Sequence, residues 1–472
     1  MKFISQKEAY ELLTILNKSG CSESEIFMEH TVTLKVEMVD GQVRSAKRAI
    51  INGVAMRLLD QGKEYRSSCQ KMDMTTLKET AIKCAEQLHN DTVKDVLPFK
   101  EAYPLDIVYA EKPGSSLTMD EKMSYLSKMN DIIYDYSKKE KDNIVQTCIL
   151  QLVEEEHHLL IINSVGTYQE ECRPYTRMYV SCAAGEGENR QTFGHDIGDG
   201  CGYECLDKAD FKALAKSVVD SLDKVYHAPE MVGGTYDVIV GNGFGGVILH
   251  EACVHGLEAT ALVGHATVFE GKLGQRIAHP CVNAVDDGTL KQRWGSMNVD
   301  DEGHRTQRNL LIENGILKSY LIDKRGGVKL GLTATGSGRR ENYSYAPTSR
   351  MTNTFFLPGQ MTFDELVKGI KLGFYAKEMG GGSVDPATSE FNFAVKEGYM
   401  IRDGKIGEAV RGATLVGKGC DILMKIDGIC KDNLSLSNGI CGSISGNVPT
   451  TVGEPPIRVR QITVGGKGVN HD

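Results

Sequence analysis

Alternation of apolar and polar residues constrains the fold of this chain more than any other feature. Residues 25–39 (EIFMEHTVTLKVEMV) alternate as a half-buried strand does, and the following Asp40-Gly41 is typical of a hairpin turn. Residues 143–181 alternate in the same way, as expected for antiparallel strands with one face on a core. Four segments with helical spacing accompany these strands: Gln6–Asn17, Met74–His89, Met119–Lys138 and Phe211–Tyr226. We therefore predict an N-terminal domain of mixed helices and antiparallel sheet over residues 1–229.

The second half of the chain, from about residue 230, differs from the first half in composition and in the length of its segments. It is dense in glycine and in short strand-like segments such as LLIENGILKSYLID and EFNFAVKEGYMIRDGKI. Turn pairs such as Asn314-Gly315 and Asp403-Gly404 connect these segments, as in antiparallel sheets. Residues 230–472 are therefore predicted to form a mainly antiparallel β domain with a helix laid across it. The fold class predicted for the whole chain is α+β.

His250, Glu251 and His255 form the pattern H-E-x-x-x-H in the string ILHEACVHGLEA. In the common zinc-protease motif H-E-x-x-H, the two histidines share one helical face and the glutamate is the general base. Here a spacing of five residues puts the imidazoles roughly 140° apart on a regular α-helix. The pattern predicts a metal site only if the helix is distorted, by a π-turn between the histidines or by termination at a left-handed Gly256. The alternative is that both histidines are ordinary helix residues.

A catalytic zinc ion typically takes three protein ligands and a water, so the motif needs a third donor. Cys441, in the glycine-rich segment NGICGSISGNVP, is the best candidate, because glycines let the backbone approach an ion and a thiolate is a good zinc ligand. Cys253 lies between the two histidines but would point away from them on a helix. Cys420 and Cys430 lie in or beside strand-like segments, where a free cysteine can equally be a core residue. Spacing alone does not choose Cys441 over these two.

A second pattern overlaps the first. Gly241, Gly243 and Gly246 satisfy G-x-G-x-x-G between a buried strand (TYDVIV) and the helix that carries His250, with Glu270 at a distance suited to a ribose hydroxyl. This is the context of the dinucleotide site in a nicotinamide-dependent oxidoreductase. The residues that follow form short glycine-rich strands instead of successive strand–helix–strand units, which opposes this interpretation. The other interpretation is a tight turn that lets the helix pack closely against its neighbours.

Composition and charge exclude several classes of function. The formal net charge is −9 and no long basic cluster occurs, so we expect no nucleic-acid binding. No apolar run approaches the roughly 20 residues that span a bilayer, so we expect no membrane insertion. The 13 scattered cysteines and the absence of a secretory signal favour reduced thiols and a cytoplasmic location. His157 and His158 are predicted at a turn that faces solvent, without a role as ligands.

Several long strings in the second half are similar to those of one family. They include HEACVHGLEA, GRRENY, RMTNTFFLPG, VDPATSEFNFAVKEGYMI and ICGSISGNVPTTVGEPPIRV, and they span residues 235–465 closely. On these strings the chain resembles the TldD branch of the TldD/PmbA family of metallopeptidases. The resemblance implies that His250, His255 and Cys441 hold one Zn²⁺ ion per chain, with Glu251 as the general base. The PmbA (TldE) branch lacks this set, so the resemblance implies the catalytic partner.

The resemblance also implies an activity and a partner. The expected protein is a zinc-dependent peptidase that hydrolyses extended or unfolded peptides, as a dimer with a TldE/PmbA-type paralogue or as a homodimer. Arg339, Arg340, Tyr343 and Arg350 lie in strings like the family's shared segments and are candidates for binding the peptide or stabilising an oxyanion. Structural pairing of each arginine with an acid is an equal alternative. Two other functions compete: a non-catalytic regulatory or binding protein with a structural metal, and a nicotinamide-dependent oxidoreductase.

Overall fold

The N-terminal half is built on one long sheet. The computed structural model describes residues 3–385 and 390–467, without the side chains of Asp385 and Cys420. Six antiparallel strands pair in the order β3-β2-β1-β4-β5-β6, and the central β1 and β4 have 17 residues each. The alternation at residues 25–39 and 143–181 correctly predicted β1, β4 and β5, and the α+β class is confirmed. The strands are β1 Glu23–Val39, β2 Gln42–Asp60, β3 Lys63–Cys69, β4 Thr147–Asn163, β5 Thr167–Ala184 and β6 Gln191–Asp199.

Helices cover one face of this sheet in two pairs. The first pair, α1 and α2, packs over buried residues that include Met28 of β1. The second pair, α3 and α5, packs over residues that include Leu34 of the same strand. Since side chains alternate along a strand, His30 lies on this same face, between the two helix pairs. The helices are α1 Gln6–Asn17, α2 Met74–Ala85, α3 Met119–Glu140, α4 Glu204–Lys208 and α5 Phe211–His227.

Local signals fix where these helices begin. Ser5 caps α1, since its side chain accepts a hydrogen bond from the backbone of Glu8 while the Glu8 carboxylate accepts one from the backbone of Ser5. Thr118 and Glu121 form the same reciprocal pair at the start of α3. Such capping boxes satisfy backbone donors that a helix otherwise leaves unpaired. The predicted helix starts agree with the structure, whereas the second helix ends at Ala85, four residues earlier than predicted.

The opposite face of the sheet packs against the C-terminal half of the chain. An apolar patch with Phe27 of β1 and Leu159 of β4 contacts Val299. Beside it, buried ion pairs cross between the two halves: Arg57 pairs with Glu302, and Arg173 Nη1 lies 2.7 Å from Asp301 Oδ1. Because breaking one member of a buried pair leaves an uncompensated charge, these contacts fix how the halves sit on one another.

Two large sheets and a two-stranded sheet, β11-β12, form the described part of the C-terminal half. The larger sheet has the order β14-β7-β21-β17-β15-β16, and an additional β14–β15 pairing closes five of its strands into a ring. The other large sheet has the order β10-β9-β8-β13-β20-β19. All pairings are antiparallel except β7–β14 and β13–β20, in agreement with the predicted mainly antiparallel domain. The proposed boundary at residue 230 lies between α5 and β7.

The elements of this half are short apart from β14 and β15. The strands are β7 Gly234–Val240, β8 Ala284–Asp287, β9 Arg308–Glu313, β10 Ile316–Leu317, β11 Gly338–Arg339, β12 Thr348–Ser349, β13 Asn353–Phe356, β14 Leu372–Asp385, β15 Glu390–Arg402, β16 Lys405–Val410, β17 Thr414–Lys418, β18 Ile426–Ile429, β19 Ser435–Ser443, β20 Gly446–Glu454 and β21 Ile457–Gly465. The helices are α6 Val247–Ala252, α7 Ala259–Val263, α8 Lys324–Leu330, α9 Phe363–Lys368 and α10 Gly419–Lys425. Among the described residues, no helix is both long and apolar enough to cross a membrane.

One local prediction is wrong. His157 and His158 lie within β4, paired with β1 on one side and β5 on the other, and the turn falls later, at residues 164–166. Both rings are partly buried instead of solvent-facing. The run of charged residues before them resembles a turn. In the structure Glu156 and His158 lie in a strip of the helix-covered face that the two helix pairs leave uncovered, whereas His157 lies on the opposite face, where its ring contacts that of Tyr175.

Candidate metal centre

The glycine-rich turn before α6 packs closely against β20. A Cβ atom on Gly246 would lie 2.4 Å from the backbone nitrogen of Gly453, and one on Gly245 would lie 1.9 Å from Oε1 of Glu454. The space beneath the turn is therefore filled by the protein itself. In addition, β7 pairs with β14 in parallel and with β21 in antiparallel orientation, which is not the arrangement of a dinucleotide-binding unit. The glycines serve close packing, and the oxidoreductase alternative finds no support in this fold.

The helix that carries the first histidine is interrupted between the two histidines. α6 ends at Ala252, Cys253 leaves the helical region with φ −132° and ψ −60°, and a 3₁₀ turn spans Val254–Leu257. The predicted distortion is confirmed, but both predicted forms of it are wrong, because the break precedes Gly256 and is not a π-turn. Gly256 instead leaves room for Thr267, whose Oγ1 would lie 2.7 Å from a Cβ atom there.

The break turns both imidazoles towards one point, where they meet Cys441 of β19. Nε2 of His250 lies 3.2 Å from the Cys441 sulfur, and Nε2 of His255 lies 3.3 Å from it. The two rings are perpendicular, with centroids 4.9 Å apart. The three potential ligand atoms all lie within 4.8 Å of one another. The structure thus brings together the three residues that the sequence analysis selected as metal ligands.

The other cysteines considered as ligands have different surroundings. Cys253 packs in the apolar core of the C-terminal half, and Cys430 packs in a separate cluster with residues of α9. The side chain of Cys420 lies outside the described residues. The described alternatives are therefore core residues.

The donor set fits a tetrahedral metal ion. Zinc–sulfur and zinc–nitrogen bonds of about 2.3 and 2.0 Å place sulfur and nitrogen ligands roughly 3.5 Å apart, within a few tenths of an ångström of the separations around Cys441. Nδ1 of His255 lies 3.2 Å from Oε2 of Glu258, the outer-shell contact that orients a ligating imidazole. Nδ1 of His250 is buried without a hydrogen-bond partner among the described residues, so this ring is held by packing.

Electrostatics favour the ionised form of the cysteine. Burial opposes ionisation of the Cys441 thiol, but the charges and hydrogen bonds of His250 and His255 outweigh it and lower its pKa to about 3. Burial also opposes protonation of His255, yet Glu258 and Cys441 raise its pKa well above the ordinary value. The site therefore holds a thiolate, which is the form of cysteine that binds metals.

Glu251 lies at the open side of this cluster. Its Oε2 is 3.8 Å from Nε2 of His255, and its side chain is 21% exposed. By contrast, His250 is buried at 3% exposure. A carboxylate in this position can reach both the metal ligands and solvent.

Arg350 is the only one of the four residues proposed to contact the peptide that touches the cluster. Its Nη2 donates a 2.6 Å hydrogen bond to the backbone carbonyl of Cys441, and its Nη1 donates to Ser445 and Gly446 at 2.9 Å each. Its Nε lies 3.9 Å from Oε1 of Glu258. The guanidinium therefore joins the hairpin that carries the thiol to the acid that orients His255.

The other three candidates lie away from the cluster. Nη1 of Arg339 donates to the carbonyl of Met351, and Arg340 binds Asp301 while its guanidinium lies over a ring of the N-terminal sheet. Tyr343 belongs to the contact between the two halves. These contacts are structural, but they differ from the stated pairing of each arginine with an acid, since Arg339 donates to a carbonyl and the Asp301 carboxylate accepts from the backbone nitrogen of Arg340.

Sequence analysis missed Glu258. It follows His255 by three residues, and side chains with this spacing lie nearly one above the other along a 3₁₀ turn. The pattern H-x-x-E directly after the metal motif was therefore an available signal.

Comparison with known proteins identifies the family. The PmbA/TldA metallopeptidase C-terminal domain matches residues 233–466, and the central domain of the same family matches residues 112–223. The chain belongs to the PmbA/TldD family. A Metalloprotease TldD homolog of Haemophilus influenzae is 32% identical over 472 residues, which cover 98% of this chain and 97% of that protein.

Other relatives extend the match. A metalloprotease of Methanothermobacter thermautotrophicus is 30% identical over 92% of this chain and 93% of its own. A Zinc metalloprotease TldD homolog of Saccharolobus solfataricus is 32% identical over 49% of this chain and 52% of its own. Among solved structures, TldE from Thermococcus kodakarensis covers 97% of this chain and 100% of its own with a TM-score of 0.74 at 17% identity. The last match shows a shared fold.

Proposed function

We propose that this chain is a zinc-dependent peptidase that hydrolyses extended or unfolded peptides. The observation that carries the proposal is the convergence of His250, His255 and Cys441 on one point, with the Glu251 carboxylate beside it. The names of the relatives, one of them a zinc metalloprotease, support the same activity. His250 and His255 would hold the ion through Nε2 and Cys441 through its sulfur.

Glu251 is the proposed general base. A bound divalent metal supplies Lewis-acid polarisation of the scissile carbonyl and of water. Glu251 accepts the proton of the attacking water at its carboxylate and delivers it to the departing amine nitrogen. A thiolate ligand brings negative charge to the centre, so water there is less acidic than beside three neutral histidines, and the base contributes correspondingly more.

A small cavity beside the centre supports a peptide substrate. It has a volume of about 170 Å³ and is lined by residues that include Ala259, Thr348 and Ile444. Ile444, which lines this cavity three residues after Cys441, is 70% exposed and offers apolar surface to a ligand. We propose that the cavity accepts one side chain of the peptide and that Ile444 contacts a neighbouring one.

A dimer with a TldE/PmbA-type paralogue is the proposed assembly, with a homodimer as the alternative. The TldE structure from Thermococcus kodakarensis has the same fold over almost the whole chain. Native mass spectrometry of this chain alone and mixed with a TldE-type protein from the same source distinguishes the two assemblies.

Glu251→Gln tests the peptidase. We expect hydrolysis of an unstructured peptide to fall by about 10²–10⁴-fold, since one general base contributes roughly that factor. Zinc content, measured by mass spectrometry, stays at the wild-type value. Glu313→Gln, a half-exposed glutamate of β9, is the matched control and keeps full activity. Unchanged hydrolysis in Glu251→Gln would favour the binding or regulatory protein with a structural metal.

A further inference from the structure

A second cluster of metal-binding side chains lies on the N-terminal sheet, in the strip between the two helix pairs. Along β4, alternate residues on this face are buried core at both ends, with Leu160 beside α1 and α2 and Leu152 beside α3 and α5. Glu154, Glu156 and His158 occupy the positions between them, on the same face. A face that packs helices at both ends is thus interrupted by three polar residues.

Pairing of the strands places a cysteine, Cys172, beside Glu156 and His158. His158 of β4 is directly opposite Cys172 of β5, and on the other side it is opposite His30 of β1. Directly opposed residues have Cβ atoms about 5 Å apart, and residues two apart on one strand lie about 6.7 Å apart. The three side chains of Glu156, His158 and Cys172 therefore start from the corners of a small triangle fixed by the sheet.

The side chains converge within this triangle. Nε2 of His158 lies 3.1 Å from Oε1 of Glu156, and one potential ligand atom of each of the three residues lies within 4.8 Å of the others. His158 is 36% and Glu156 is 26% exposed, so an ion can reach them from solvent.

We propose that Glu156, His158 and Cys172 form a second site, which binds a divalent transition metal of the Zn²⁺ class. Carboxylate oxygen, imidazole nitrogen and thiolate sulfur are the three ligand types that zinc takes in proteins, and the mixed set is unsuited to Mg²⁺ or Ca²⁺. Three protein ligands leave the fourth tetrahedral position to water. If Glu156 and His158 formed only an ion pair, that pair would not require the thiol of Cys172 beside it.

Neighbouring groups support this arrangement without competing for the ion. His30 packs its ring against that of His158, with centroids 6.2 Å apart, and its Nδ1 is 2.5 Å from Oδ1 of Asn52. The next acid on the face, Glu154, is already paired with Lys122 at 2.7 Å. The carboxylate that remains beside His158 is therefore that of Glu156.

Metal binding at the second site can be measured separately when the Cys441 thiol is removed. Metal-free Cys441→Ser protein is titrated with Co²⁺ under reducing conditions, and the near-ultraviolet absorption from thiolate-to-cobalt charge transfer is recorded. We expect a band that saturates at about one Co²⁺ per chain, because a tetrahedral zinc-type site accepts this ion. Adding Cys172→Ser abolishes the band, whereas adding Cys69→Ser, a partly buried cysteine of β3, leaves it unchanged.

A second variant separates binding from folding. In the Cys441→Ser background, His158→Gln should weaken Co²⁺ binding by more than the roughly 10–100-fold that loss of an outer-shell partner costs. Circular dichroism should be unchanged. The proposal is overturned if Cys441→Ser protein gives no charge-transfer band, or if the band persists in the variant that also lacks Cys172. These results are independent of the peptidase proposal, which Glu251→Gln tests on the other centre.

Discussion

Arg350 donates a hydrogen bond of 2.6 Å from Nη2 to the backbone carbonyl of Cys441, and the whole arginine is buried at 0% exposure. Its other terminal nitrogen binds Ser445 and Gly446 at the end of the same hairpin. One planar guanidinium thus fixes three points of the segment that carries the thiol. A role in positioning the ligand explains why an arginine is needed here, because only its fork offers several donors in a fixed geometry.

Arg350→Lys should loosen this hairpin. An ammonium group cannot reach Cys441, Ser445 and Gly446 in the same arrangement, so we expect zinc affinity to fall about 10–100-fold, as for loss of other outer-shell contacts. Competition with a chromophoric chelator measures this change. The matched control is Arg339→Lys, which alters an equally buried arginine that binds the Met351 carbonyl instead. Equal loss of zinc affinity in both variants would indicate general damage to the fold.

Glu258→Gln should lower the zinc affinity of the metal centre through its contact with His255. The carboxylate accepts from Nδ1 of His255 and is 4% exposed, so its charge acts on the imidazole with little screening by solvent. We expect zinc affinity about 10–100-fold below wild type and a parallel fall in kcat/KM at limiting zinc. Glu270→Gln removes the acid from an exposed ion pair with His265 and should change neither the zinc affinity nor kcat/KM. A Glu258→Gln protein with wild-type affinity would show that packing alone orients His255.

Gly246→Ala should destabilise the protein. The added Cβ would meet the backbone of Gly453, which cannot move aside as a side chain can, and overpacking of this kind costs about 1–3 kcal/mol. We expect a lower denaturant midpoint together with lower zinc affinity, since α6 carries His250. Gly381→Ala, at a position where a Cβ meets nothing within 4 Å, is the control. Tolerance of alanine at position 246 would mean that the turn has free space, as a nucleotide site requires.

The sequence predicted the long strands of the N-terminal half because alternation is a local property. It predicted a distortion between the two histidines but not the form of that distortion, a break at Cys253, which arises from long-range packing. A Cβ on Gly419 of α10 would lie 2.1 Å from the carbonyl of Ala252, so α10 meets α6 where the helix stops. The partner of the two histidines, Cys441, is 186 residues from His255, and spacing alone did not select it. Cys441 was selected through the family resemblance, and its position relative to the two histidines is known from the structure.

The polar strip on the N-terminal sheet was missed for a related reason. Its residues alternate correctly for β4, but Glu156 and His158 stand where the pattern expects apolar side chains, which suggested a turn. The gap between two helix pairs, which accommodates such residues within a sheet, is a property of the tertiary arrangement.

Glu171 should make stability depend on pH. Its carboxylate is buried between the halves and accepts from the backbone and side-chain nitrogens of Asn298 at 3.3 and 3.1 Å. Burial raises its pKa to about 7, although the charge of Arg173 and the contacts with Asn298 oppose the rise. In the unfolded chain the group titrates near 4.3, so between that pH and 7 the folded protein holds a proton that the unfolded chain has released.

Stability should therefore fall as pH rises from about 4.3 to 7, by up to about 4 kcal/mol from this group alone. Glu171→Gln removes the titration, so its denaturant midpoint should exceed that of wild type at pH 8 and approach it at pH 5. Glu170→Gln, on the same strand, is the control and should follow the wild-type profile. Because other buried acids titrate too, the difference between variant and wild type is the quantity to compare. A difference that is the same at pH 5 and pH 8 would mean that Glu171 is ionised in the folded protein throughout this range, held so by Arg173.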